Sequence, residues 1–174
     1  MNMKNKLLWL TQTALFLALL IALQALTKAG GQFVTGSCVN AVLALSTLLC
    51  GWLSGGVIAL VSPFMAFLLG IGPAYFPIVP AIALGNLVFV LLLHLLSRSG
   101  AFRKRCLGAL AASAVKVGLL YLVIVVILCP LLSVPEKQAA VFSTMFSWPQ
   151  LVTALLGSAV ALAIHPLLKK ALHR

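Results

Sequence analysis

The sequence predicts an all-α integral membrane protein with six transmembrane helices and both termini in the cytoplasm. First, 63% of the 174 residues are hydrophobic and only 7% are charged, which leaves too few charges to coat a soluble domain. Second, apolar segments recur that are long enough to cross a bilayer core, which takes about 20 residues at about 1.5 Å each. Third, the basic residues that give the net charge of +11 lie mostly at the ends of these segments, where they can contact anionic lipid headgroups. The positive charge therefore does not indicate a nucleic-acid partner.

Each apolar segment is bounded by residues that end a helix. A polar loop at 28–37 follows the first segment, and glycines at 51–56 turn the second into the third. A run of Gly and Pro at 70–77 precedes the fourth. A basic loop at 97–105 leads to the fifth, and a loop at 133–147 leads to the sixth. We therefore predict a single membrane domain over residues 1–174, with spans at about 7–26, 38–53, 55–71, 79–96, 106–132 and 148–168.

The distribution of basic residues predicts the orientation. With six spans and a cytoplasmic N-terminus, the outside receives only Lys28 and Lys137. This asymmetry obeys the positive-inside rule, whereas merging the short second and third spans would place the 98–105 cluster outside. The basic residues expected on the cytoplasmic side are Lys4, Lys6, Arg98, Arg103, Lys104, Arg105, Lys169, Lys170 and Arg174.

The chain lacks the residue clusters that catalysis inside a membrane requires. Glu136 is the only acid, and the three histidines are far apart in the sequence. Intramembrane hydrolysis needs an activated nucleophile or paired acid and base groups, and proton or sodium carriers usually need a buried acid. The four cysteines are scattered without a CxxC or Cys/His motif, so no metal site is indicated. We predict neither an enzyme nor a cofactor.

Polar residues in the predicted external half suggest a solute pocket. Lys116 lies about 15 Å into the fifth span, and no acid lies in another span to neutralise it. For each uncharged residue alone, a hydrogen bond between helices is the simpler explanation. The options for Lys116 are to snorkel, to lose its proton, to reach water in a cavity, or to meet a carboxylate of a ligand or of a partner subunit. Together they predict a site that opens outward. The proposed binding residues are Gln32, Thr35, Asn40, Tyr75, Asn86, Lys116, Tyr121, Trp148 and Gln150.

Small residues form a stripe along the first span. Ala14, Ala18 and Ala22 are four residues apart, so their methyl groups follow one face of the helix. Small residues allow close helix packing in lipid. The stripe therefore packs either against another helix of this chain or against a separate membrane subunit.

At these residues the chain resembles the S components of energy-coupling factor (ECF) transporters. The resemblance covers essentially the whole chain and rests on the six short spans, the alanine stripe, Thr35-Gly-Ser-Cys-Val-Asn40, the glycine hairpin 51–56, Ser62-Pro63 and Gly85-Asn86.

The resemblance implies a multi-pass receptor of the prokaryotic plasma membrane that binds a vitamin or related micronutrient on the external side. It also implies that the alanine stripe contacts an ECF coupling transmembrane subunit, which binds two ATPase subunits. The S component would topple in the membrane to deliver the solute inward. The absence of a GxxxxGK[ST] motif agrees with ATP hydrolysis by the partners.

Two other functions remain open. A six-span membrane scaffold similar to the rod-shape proteins would use the alanine stripe but not Asn40, Asn86 or Lys116. A stand-alone carrier is disfavoured by the small size and the missing intramembrane acid. For a receptor, the shortage of acids and the presence of Lys28 and Lys116 favour a neutral or anionic solute over a cationic one.

Overall fold

A computed structural model describes residues 3–98 and 101–172, except for the side chain of Leu172. Arg174, which the orientation prediction uses, lies outside these residues. Within them the chain forms helices and no β-strand, as the fold class predicted. The α-helices are α1 (Met3–Thr27), α2 (Gly31–Cys50), α3 (Trp52–Leu68), α4 (Val79–Ser97), α5 (Phe102–Leu120), α6 (Glu136–Met145) and α7 (Trp148–Leu172).

Short helical segments join or extend several α-helices. Turns of 3-10 helix occupy Lys28–Gly30 and Phe76–Ile78. Helix α5 continues without a break through a π-helical segment, Tyr121–Leu128, and a last α-helical turn, Cys129–Leu131. The fifth apolar segment is therefore one long helical rod, as its length predicted.

Long apolar helices dominate the described residues. Four helical stretches are long and apolar enough to cross a membrane: Met3–Cys50, Phe76–Ser97, Phe102–Leu131 and Glu136–Ala171. Helix α3 is apolar but shorter. These stretches indicate a membrane protein, while the number of crossings and the side on which the termini lie remain predictions.

The first of these stretches folds back on itself at its 3-10 turn. Eight residues of continuous helix would separate Thr27 from Thr35 by about 12 Å. Instead the hydroxyl of Thr35 donates to the carbonyl of Thr27 at 2.8 Å. Gly31 makes the reversal possible because its φ of +69° is one that L side chains rarely adopt. Helices α1 and α2 therefore form a hairpin.

Two predicted loops are largely helical in the structure. Helix α2 begins at Gly31 rather than at the predicted residue 38, because the Gly30-Gly31 turn ends early and the polar residues after it continue as helix. The loop at 133–147 contains the whole of α6, which starts after Pro135. Both loops were predicted from their polar residues, but polar residues can also form the solvent-exposed face of a helix.

Helix α2 lies at the centre of the bundle, with a continuous buried run from Asn40 to Thr47. It packs against α7 so closely that a Cβ at Gly157 would lie 2.5 Å from the carbonyl oxygen of Ser37 and 2.7 Å from the backbone nitrogen of Ala41. The two helices run parallel, since Gly36 faces Thr153 just as Asn40 faces Gly157.

Gly157→Ala is expected to destabilise the protein by about 1–3 kcal/mol, because the added methyl group meets backbone atoms that have no room to move. Thermal unfolding in detergent measures the effect. Gly118→Ala on α5 is the matched control, since a Cβ at Gly118 meets nothing within 4 Å and alanine favours the helix. Equal melting temperatures for the two variants would contradict the close packing of α2 on α7.

Candidate functional site

A cavity of about 360 Å³ lies between the helices, at the end of the bundle where α2 and α7 begin. Its wall is formed by the end of α1, the first half of α2, the second half of α3 with the loop after it, the first half of α4, Lys116 of α5 and the junction of α6 with α7. Arg105 and His165, which contact each other at 3.2 Å, lie at the opposite end, where α5 begins and α7 ends. The residues that line the cavity are Gln24, Lys28, Gly31, Gln32, Thr35, Gly36, Val39, Asn40, Ser62, Pro63, Ala66, Phe67, Gly70, Ile71, Gly72, Pro73, Val79, Ile82, Asn86, Lys116, Met145, Phe146 and Gln150.

The structure brings most of the predicted binding residues to this cavity. Its wall includes Gln32, Thr35, Asn40, Asn86, Lys116 and Gln150. The other three lie outside it. Tyr75 packs its ring on Phe142, and Tyr121 is 38% exposed on the π-helical segment. Trp148 is 62% exposed and packs on Phe33.

Lys116 is the buried lysine of the site. Its side chain is 1% exposed, and its ammonium group donates to Oδ1 of Asn40 at 2.6 Å. The amide nitrogen of Asn40 donates in turn to the carbonyl of Gly36 at 2.9 Å, which orients the oxygen towards the lysine. The ring of Phe89 lies 5.4 Å from the ammonium nitrogen, within the range of a cation–π contact.

Several other polar groups face the cavity without a partner. Among the described residues, Oε1 of Gln24 and the hydroxyl of Ser62 have no hydrogen-bond partner, although both residues are buried. The side chain of Asn86 is 3% exposed, and none of the side-chain hydrogen bonds of the described residues involves it. Buried polar groups normally find partners. These groups are therefore available to a molecule inside the cavity.

Two hydrogen bonds fix the rim of the cavity. Gln32 donates from Nε2 to the carbonyl of Met145 at 2.6 Å, which ties the start of α2 to the end of α6. Lys28 donates from Nζ to the carbonyl of Leu69 at 3.1 Å, which ties the α1–α2 turn to the end of α3. The walls of the site are thus joined at the surface as well as through the core.

The site also contains polar residues that the sequence prediction did not assign to binding. Gln24 lies on the buried face of α1, together with Thr13 and Leu20. Gln24 follows Thr13 by eleven residues and Leu20 by four, and this helical spacing is the periodic signal that could have identified it. Ser62 precedes Pro63 inside α3. The residues around Ser62 show no comparable periodic signal for the direction of its side chain.

The alanine stripe lies on the outer surface. Ala14, Ala18 and Ala22 are all exposed, while the opposite side of α1 is held to α3 by a hydrogen bond of 2.9 Å between the hydroxyl groups of Thr13 and Ser54. The stripe is therefore not a packing seam between described helices of this chain.

Comparison with known proteins gives one family. The family model of the ECF transporter substrate-specific component matches residues 10–169, a range that includes most of α1 and α7, all the helices between them and all the residues of the cavity. No curated protein and no solved structure was found to match the chain. Because the match extends over nearly the whole sequence, the chain belongs to the family of substrate-specific components of ECF transporters.

Proposed function

We propose that this chain captures a vitamin or related micronutrient on the external side of a prokaryotic plasma membrane. It then delivers the solute inward with an ECF coupling transmembrane subunit and two ATPase subunits. The observation that carries the proposal is the cavity lined by buried, unpartnered polar groups in a chain of this family. In this proposal the chain crosses the membrane six times with both termini inside, so the cavity opens outward.

The charge of the cavity wall supports a neutral or anionic solute over a cationic one. The wall contains two lysines and no acidic residue. A cationic solute would therefore enter a site without a counter-charge, which is unfavourable away from water. The chain itself acts only in binding and delivery, with no chemical step.

The exposed alanine stripe supports the proposed contact with the coupling subunit. Small side chains let a second helix approach closely, and in lipid this close packing is a main source of helix association. In the proposed mechanism this surface holds the chain to its partner while the chain topples and carries the cavity to the cytoplasmic side.

A membrane scaffold and a stand-alone carrier are the alternatives. A scaffold gives no reason for Oε1 of Gln24 and the hydroxyl of Ser62 to remain unpartnered at a cavity. A carrier needs a way to couple movement to an ion gradient, usually a buried acid, and the only acid in the chain, Glu136, is exposed.

Two measurements test the proposal. Mass spectrometry of the purified protein is expected to detect a retained small molecule, and Asn86→Ala is expected to reduce the retained amount because it removes a free amide from the cavity. Uptake of that molecule into vesicles is expected only when the coupling subunit and both ATPases are present with ATP. A protein that retains no solute would favour the scaffold, and uptake by this chain alone would favour the carrier.

A further inference from the structure

We infer that the solute carries a single carboxylate that binds the ammonium group of Lys116. We further infer that the rest of the solute is a compact, largely aliphatic body with amide or hydroxyl groups. The inference rests on the proposed function, because it assigns the chemistry of the molecule held in the same cavity.

The charge of Lys116 is not balanced by the protein. No carboxylate of the described residues lies within 4 Å of its ammonium nitrogen, and Glu136, the only acidic residue of the chain, is exposed at the start of α6. A lysine has three N–H donors, and among the described residues only the one directed to Asn40 has a partner. One neutral acceptor and the face of Phe89 recover only part of the cost of removing an ammonium group from water. An anion that enters with the solute would supply the rest.

The wall favours a carboxylate over a phosphate group. Phosphate carries up to two negative charges and is usually held by arginines or by several backbone N–H groups at the start of a helix. No arginine of the described residues lines this cavity, and Lys116 lies mid-helix as a single point charge. One carboxylate balances the charge of one ammonium group, and its oxygens accept hydrogen bonds from the two remaining N–H groups.

Lys116 is a better partner for this carboxylate than Lys28, the other lysine of the wall. Lys28 is exposed, and its ammonium group already donates to the carbonyl of Leu69. Water and salt weaken ion pairs at exposed sites, which typically contribute about 0–1 kcal/mol. The buried lysine is screened far less, so its interaction with an anion is stronger.

The shape and lining of the cavity describe the rest of the solute. A volume of about 360 Å³ is near the lower end of the range for small-molecule sites, about 300–1,000 Å³. Within the part of the chain that the structure describes, no Trp or Tyr lines the wall, and Phe67 and Phe146 are its only aromatic residues, so a large flat ring system has little to stack on. Oε1 of Gln24 needs a donor, while Ser62 and Asn86 can both donate and accept. These groups fit amides or hydroxyls on an otherwise aliphatic body.

The test uses matched pairs of solutes that differ only at the carboxylate. Binding to the purified protein in detergent is measured for pantothenate and panthenol, biotin and its primary amide, nicotinate and nicotinamide, and the retained solute found by mass spectrometry. At least one carboxylate is expected to bind about 30-fold or more tightly than its neutral counterpart, as expected for loss of one partner of a buried charge pair. This comparison needs no variant and so does not depend on folding of a mutant.

The variants Lys116→Met and Lys28→Met then locate the carboxylate. Lys116→Met is expected to reduce the preference for the carboxylate within a pair to about threefold or less, whereas Lys28→Met keeps the preference of the original protein. Thermal unfolding checks that both variants are folded.

The outcomes separate this inference from the proposed function. A retained solute without a carboxylate, or a carboxylate preference that survives Lys116→Met and disappears in Lys28→Met, would overturn the inference while the receptor function stands. If the protein retains no solute and binds none of the pairs, the proposed function fails and the inference fails with it.

Discussion

Ala18→Trp is expected to abolish uptake of the solute while leaving its Kd within about twofold of the original value. Ala18 lies at the centre of the exposed alanine stripe of α1, and the cavity is lined by other residues of the bundle. An indole group there would prevent the close approach of a partner helix that small residues allow. Uptake is measured in vesicles that contain the coupling module, and Kd is measured on the isolated chain.

The control is Ala114→Trp, which places the same side chain on the exposed surface of α5, also near the middle of its helix. This variant is expected to keep both uptake and binding, because no partner is proposed to contact that surface. Equal loss of uptake in the two variants would show that any bulky group on the surface blocks transport, and the stripe would no longer mark an interface. Loss of binding in Ala18→Trp would instead indicate that the outer face of α1 supports the cavity.

The sequence was sufficient to predict the helical class and the general place of the cavity. Composition and the recurrence of long apolar segments determine the first, because an apolar segment of about 20 residues satisfies its own backbone hydrogen bonds in lipid by forming a helix. The second followed from polar residues in the external half of the predicted spans. Asn40, Asn86 and Lys116 could be assigned to the site because a polar side chain deep in an apolar helix needs a specific partner.

The contacts within the site could not be predicted, because they depend on how the helices pack. Lys116 and Asn40 are 76 positions apart in the sequence, and only the packing of α5 near α2 brings them into hydrogen-bond contact. The aromatic residues show the same limit: Tyr121 and Trp148 have the amphipathic character of binding residues, yet both are exposed and neither lines the cavity. Helical periodicity gives the buried face of one helix, not the neighbour it meets.

Asn40→Asp is expected to raise the thermal stability of the protein and to weaken binding of the carboxylate solute about 30-fold or more. The substitution places a carboxylate oxygen where Oδ1 of Asn40 now lies, 2.6 Å from the ammonium group of Lys116. It also removes the hydrogen bond that the amide donates to the carbonyl of Gly36, a loss of about 1–3 kcal/mol that the new ion pair has to exceed. The protein then carries its own counter-charge, since an uncompensated buried charge typically costs several kcal/mol relative to a paired one. Each kcal/mol gained raises Tm by about 2–4 °C for a chain of this size.

The same variant should bind the neutral counterpart of the solute with much less change, because that molecule does not compete for Lys116. Asn40→Ala provides the contrast: it removes the acceptor and adds no charge, so stability is expected to fall instead of rise. Opposite shifts in Tm for the two variants are expected only if the ammonium group is short of a negative charge in the solute-free protein. A lower Tm in Asn40→Asp together with unchanged carboxylate affinity would mean that Lys116 is already satisfied by water, and the solute would have to be recognised through Gln24, Ser62 and Asn86 alone.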